Sequence, residues 1–240
     1  MWDLDPDEWF FLIIAILGGA ALSVRYFTPL MMTWNLPIRR RFWLSVWPIA
    51  CLVPIFIVLC TCADPHVRGH ADYTTLFMVG GVVWTLAASA FLPIVGVRWR
   101  DDCLEGSDPA AAIVAASAML ASALCYAGAN IGTGPTVWTT ILPAGMATAA
   151  LAGAALIVRL ASPVADAVAI DRDIASAAVF GGFLVAAAII LAWAAAGDFV
   201  DWNATLGDFA RRASWTAIPA AAAIAALWII RPRVESEGTP

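Results

Sequence analysis

Seven stretches of this chain are long, apolar and nearly free of charge, and no other feature restricts its folding as strongly. They span about 9–24, 42–62, 74–97, 109–129, 137–158, 174–196 and 213–230. A hydrocarbon core about 30 Å thick takes about 20 apolar residues of helix, and each stretch meets or approaches that length. Composition agrees, with 62% of residues hydrophobic and 13% charged. A soluble domain is about 45–50% apolar and about 25% charged, so a soluble fold of these residues would lack polar surface to cover itself. The expectation is an all-α integral membrane protein with seven transmembrane helices in one membrane domain, 1–240. Within it, 1–73 forms a two-span hairpin, 74–135 and 136–200 two further hairpins, and 201–240 the last span and a tail. The first span is short, and is completed if Arg25 snorkels and the helix continues through Tyr26 and Phe27.

Helix-start signals sit at these boundaries. Asp108 precedes Pro109 as an N-cap before a first-position proline, Asp173 precedes Ile174, and Thr136 is placed to cap the fifth span. Asp64-Pro65 and Ser162-Pro163 read as starts of short interfacial helices. Arginine placement gives the orientation. Arg25, Arg39, Arg40, Arg41, Arg98, Arg100, Arg159, Arg172, Arg231 and Arg233 fall on one side, and Arg68, Arg211 and Arg212 on the other. By the positive-inside rule the first set is cytoplasmic. The N-terminus, with Asp3, Asp5, Asp7 and Glu8, is then outside and the C-terminus inside. Arg211-Arg212 runs against that assignment. The acidic start also differs from the basic n-region of a cleaved signal peptide, so the first span is expected to remain in the mature protein.

Several chemistries are disfavoured by composition. All 13 basic residues are arginine and the formal charge is −5, which argues against a nucleic-acid partner. Without lysine there is no Schiff-base chemistry. Five cysteines, three of them (Cys51, Cys60, Cys62) in one apolar run, do not make a disulfide framework. No Asp, Glu, Lys or His falls deep in an expected span, whereas proton-coupled transport needs such a group on its path.

A shift of 65 aligns the fourth span with the sixth. Over the 25 positions from Asp108 to Gly132, nine are identical, including Asp108 with Asp173 and Gly132 with Gly197. Each copy follows a span that ends in arginine, Arg98 or Arg159, so the unit is a helical hairpin repeated in parallel. The segments EGSDPAAAIVAASAMLASALCYAGANIGTGP and DRDIASAAVFGGFLVAAAIILAWAAAGDF resemble the two hairpin repeats of the YjfL-like family, small bacterial inner-membrane proteins of unknown function. The resemblance covers roughly residues 74–210. Where the family pattern has Asn at the helix start, this chain has Asp108 and Asp173. The resemblance implies a bacterial inner-membrane component that works beside protein partners. It brings no catalytic residues.

Three places carry candidate binding chemistry. The outer loop holds both histidines, and Cys62, Asp64, His66 and His70 are donors suited to zinc or copper, with His66 and His70 on one face if Pro65 opens a helix. The turn with Asn130, Gly132, Thr133 and Gly134 offers backbone amides for an anion. Arg39, Arg40 and Arg41, followed by Trp43 and Trp47, suit anionic lipid headgroups. Small residues crowding the repeat helices suit close helix packing, within the chain or across a homo-oligomer. The functional expectation is a non-enzymatic scaffold or membrane-complex subunit without a cofactor, its partners being membrane lipid and other proteins. Two alternatives stand beside it. One is a channel or carrier for a neutral or weakly polar solute, lined by Ser89, Ser117, Ser122, Thr85, Thr148 and Asn130. The other is a metal-binding protein at the outer face.

Overall fold

The computed structural model describes residues 5–34, 36–132, 137–198 and 201–237. Among them every regular element is helical, and seven helices are long and apolar enough to cross a membrane. They are α1 (Pro6–Met32), α2 (Ile38–Ala50) continued by α3 (Leu52–Thr61), α4 (Ala71–Phe91), α5 (Pro109–Ala129), α6 (Trp138–Ala161), α8 (Ile174–Ala195), and α9 (Trp202–Ala213) continued by α10 (Ala217–Glu237). The short α7 (Val164–Ala169) lies between α6 and α8. Outward-facing side chains such as Phe10, Ile14, Leu17, Phe56, Ile157, Leu160, Ile189 and Ile218 are more than half exposed. Apolar cover of this extent is too large for a water-facing monomer and fits a multi-pass membrane protein.

Several boundaries differ from the sequence reading, each for a local reason. α1 starts at Pro6 instead of Trp9 because Asp5 and Glu8 form a capping box, the Asp5 N–H donating to Glu8 at 2.9 Å. The helix continues through Arg25, Tyr26 and Phe27 as expected, and runs five residues further, to Met32. Arg39, Arg40 and Arg41 occupy the first turn of α2 instead of a loop, where the helix dipole disfavours cations. Arg40 offsets this by donating to the Ser107 carbonyl and Arg41 by donating to that of Thr33. Pro48 has no N–H for the Leu44 carbonyl, and the buried Tyr26 hydroxyl donates to that oxygen at 2.8 Å. The last span begins earlier than expected, α9 leading through a 3₁₀ turn, Ser214–Thr216, into α10.

α5 and α8 form the centre, and their packing rests on missing side-chain atoms. A Cβ on Gly128 would sit 2.4 Å from the Ala192 Cα, and one on Gly181 would sit 2.5 Å from the Ser117 hydroxyl. Beyond their ends the Gly197 N–H donates to the Ile131 carbonyl at 2.9 Å. All three contacts keep the same order along both chains, so the two helices are parallel and in register. α4, α6 and α3 pack around α5, α10 packs on α8 and α6, and α1 lies outside α4. On α4, Gly80 and Gly81 leave room for Tyr126 and Ile55, where added Cβ atoms would sit at 2.5 and 2.9 Å.

The approaches to α5 and α8 also match. A π-helical turn, Trp99–Glu105, precedes α5, and α7 precedes α8. Ser107 and Arg172 take positive φ, 47° and 54°. Asp108 N–H donates to Asp102 O, and Asp173 N–H donates to Ala167 O. Asp108 then caps Ala110, and Asp173 caps Ala175 and Ser176. Burial of the Asp173 carboxyl opposes its ionisation, but the Ser176 hydroxyl and the two amides prevail and hold it below the usual carboxylate range.

Gly128→Ala is expected to lower the thermal unfolding midpoint of the detergent-solubilised protein, by an overpacking penalty of about 1–3 kcal/mol. Gly145 on α6 has nothing within 4 Å of an added Cβ. Gly145→Ala is therefore expected to leave the midpoint unchanged or raise it.

Candidate functional site

At the end of the bundle where α1 begins and α5 finishes, the structure opens into a vestibule of about 540 Å³. Its walls come from five places: the start of α1 (Asp5, Glu8), the α3–α4 loop (Asp64, His66, Val67), α4 (Tyr73, Phe77), the end of α5 and its turn (Asn130, Ile131, Gly132), and α6 (Thr139, Thr140). Gly197 closes the rim. The histidine loop and the glycine turn, read from the sequence as separate candidates, are thus two walls of one cavity.

Backbone contacts hold those walls together. Ala63 and Gly132 form an isolated parallel bridge, which fastens the α3–α4 loop to the turn after α5. Gly132 has a φ of 129°, and a Cβ there would lie 2.4 Å from the Gly197 carbonyl oxygen, so this position takes only glycine. Asn130 is buried and donates from Nδ2 to the Tyr126 carbonyl at 2.7 Å. Tyr126 in turn donates to the Phe77 carbonyl at 3.0 Å, fixing α5 against α4 beneath the vestibule floor. Tyr73 and Glu8 both line the mouth.

Asp64 organises its own loop. Its carboxylate accepts the His66 N–H at 2.8 Å and lies 3.0 Å from His66 Nδ1. The backbone hydrogen bond from His66, the imidazole beside it and nearby Arg68 hold the Asp64 carboxyl below its ordinary range, against a smaller effect of burial. Asp5, Glu8 and Asp64 give the mouth a negative character, and Tyr73, Asn130, Thr139 and Thr140 add hydroxyl and amide groups. Such a surface suits a ligand or chain segment that carries N–H donors or positive charge.

The metal set expected from the sequence is not assembled as such. Asp64 and His66 line the vestibule, whereas Cys62 and His70 do not. Gly69, at a φ of 84°, ends the turn after Pro65, and His70 becomes the N-cap of α4. A shared helix face for the two histidines therefore does not form. Among the described residues no three His, Cys, Asp or Glu side chains are grouped as a ligand set. Thr133, Gly134 and the cap expected from Thr136 lie outside the described residues. All five cysteines are free, Cys60 and Cys62 exposed and the others buried. Arg39 and Arg40 line a separate groove at the opposite end, and Arg41 is turned to Thr33. Sequence reading missed Asp5, Glu8, Tyr73 and the Thr139-Thr140 pair as site residues. The available signal was topological, since all of them lie at the ends of spans that the arginine pattern assigns to one side.

Comparison with protein families, with curated proteins and with solved structures finds no match to this chain.

Because the folded pKa of Asp64 is lowered, its contribution to the loop is present above the ordinary carboxylate pKa and is lost as pH falls through the lowered value. Hydrogen-exchange protection of the His66 amide is expected to hold from neutral pH to about pH 4, near the ordinary carboxylate pKa, and to fall below it. Asp64→Ala is expected to remove that protection at every pH. Metal analysis of the purified protein is expected to find no stoichiometric zinc or copper. Stoichiometric metal that is lost in His66→Ala would contradict this reading of the loop.

Proposed function

We propose that this chain is a non-enzymatic subunit of a membrane complex, seated in the bacterial inner membrane with its N-terminus outside, which engages its partner through the vestibule. The observation that carries the reading is a recess that stops on a packed centre. Below the vestibule, Tyr126 bonds Phe77, and the Trp84 indole donates to Thr148 at 2.9 Å with its ring 5.5 Å from that of Tyr126. On α4 and α5 these groups lie between the vestibule and a second cavity of about 220 Å³, whose walls are almost wholly apolar. A polar solute meets aromatic rings and then hydrocarbon. Three of the side chains that would line a carrier's path are engaged elsewhere: Ser122 donates to Trp84 O, Thr148 to Ala144 O and Ser89 to Leu86 O.

The orientation is supported by the arginine distribution and by the work of the two arginines that oppose it. Arg212 donates to the Trp193 and Ala196 carbonyls at 3.3 and 3.1 Å and lies over the Trp193 ring, and Arg211 pairs with Asp208 at 2.9 Å. Arg212 is occupied at the C-terminal end of α8, where cations are favoured, and Arg211 within α9, so their position follows from local bonding. Duplication of one hairpin is supported by the matched caps, positive-φ residues and loop hydrogen bonds before α5 and α8. It agrees with the resemblance to the YjfL-like family carried by the same segments.

Two experiments test this together. Protein extracted from its native membrane in mild detergent is expected to run as a defined complex or oligomer, weakened by the charge reversals Asp64→Arg and Glu8→Arg. Reconstituted liposomes are expected to pass small neutral solutes no faster than protein-free liposomes. A lone monomer under all conditions, or solute flux that depends on the protein, would overturn the proposal.

A further inference from the structure

A second groove, of about 500 Å³, lies between α2 and the first half of α5, at the end of the bundle opposite the vestibule. Its mouth carries Arg39 and Arg40, and its walls are Trp43 and Trp47 on one side and Ile113 and Ala116 on the other. Elsewhere α5 is the most buried span, yet here its small side chains are left partly open. The Trp47 indole donates to the Ala116 carbonyl at 2.8 Å, which holds the two helices at a fixed spacing and forms the inner end of the groove.

We infer that this groove binds an anionic phospholipid, its phosphate on Arg39 and Arg40 and one acyl chain along Trp43, Trp47, Ile113 and Ala116. Charge and depth both select that occupant. Arg39 is exposed and makes no hydrogen bond or ion pair among the described residues, Arg40 spends one nitrogen on Ser107, and no carboxylate lines this groove among the described residues to answer its cationic N–H groups. Trp34 and Ile38, close to Arg39 in the chain, are 88% and 87% exposed and add apolar surface suited to the interface between headgroups and hydrocarbon. From Arg39 to Trp47 the helix rises about 12 Å at about 1.5 Å per residue, close to the depth of one leaflet's hydrocarbon. A protein segment would have to present both an acid and a long apolar chain within lipid. A phospholipid carries both already.

Native mass spectrometry of the intact protein, released from mixed micelles holding equal phosphatidylglycerol and phosphatidylcholine, tests this. Wild type is expected to retain phosphatidylglycerol several-fold over phosphatidylcholine. Arg39→Gln should bring the two near parity, and Ile113→Trp, which fills the groove, should remove the bound lipid. If Ile113→Trp fails to fold, Ala116→Leu narrows the same passage. Equal retention of both lipids by wild type, or a preference that survives both the charge and the filling variants, would overturn the inference. Thermal stabilisation by inorganic phosphate equal to that by phosphatidylglycerol would overturn it as well, by showing an anion site that has no use for the acyl chain.

Discussion

In hydrocarbon, helices gain nothing by hiding leucine from lipid, so a bundle holds together only where backbones approach closely enough for dispersion and polar contacts to accumulate. The α5–α8 contact meets that requirement. Gly128 lies against the Ala192 backbone and Gly181 against Ser117, distances that any larger side chain would prevent. The other spans are arranged around this pair in order of decreasing burial, with α1 and α9–α10 at the periphery. The vestibule follows from the same contact. Because α5 and α8 end together, Gly132 and Gly197 meet, and the loops from α3–α4 and α5–α6 settle around them.

Loose carbonyls are the second constraint, since unpaired backbone groups are costly away from water. The chain meets it with side chains from neighbouring helices. Tyr26 serves the carbonyl freed by Pro48, and Arg159 donates to Pro93 and Ile94 at the end of α4. Arg212 does the same for α8, and the Trp228 indole donates to Ala161 at the end of α6. Arginine and tryptophan near the helix ends therefore do structural work in addition to marking sides and interfaces. Thr85 is a local exception, its buried hydroxyl having no partner among the described residues.

The helical class and the seven spans were legible in the sequence because both follow from run length and composition. The Asp108 and Asp173 caps were legible because proximity along the chain is enough to form them. Tertiary contacts decided what was not. Nothing near Arg39 indicates that the Ser107 and Thr33 carbonyls will receive its two neighbours, so the cluster read as a loop. The π-helical turn at Trp99–Glu105 was invisible, although the short helix after Pro163 was expected at the matching place. The vestibule was half legible. Asp64, His66, Asn130 and Gly132 stood out by residue type, but their meeting depends on the Ala63–Gly132 bridge, which joins segments about seventy residues apart. Asp5, Glu8 and Tyr73 carry ordinary helix-start signals and gave no separate sign of a shared wall.

The parallel, in-register pairing of α5 with α8 underlies both the vestibule and the closed centre, and cysteine cross-linking reads it directly. A Cβ on Gly181 would lie 3.1 Å from the Ser117 Cβ, a few tenths of an ångström short of the roughly 3.5–4.5 Å that a disulfide spans, so the two helices need part only slightly to form one. With the five native cysteines replaced, the pair Ser117→Cys and Gly181→Cys is expected to form an intramolecular disulfide under a membrane-permeant oxidant. The pair Ser117→Cys and Ala192→Cys, which lies at opposite levels of the parallel arrangement, is expected to remain reduced. Cross-linking of the second pair without the first would place the two helices antiparallel and contradict the account.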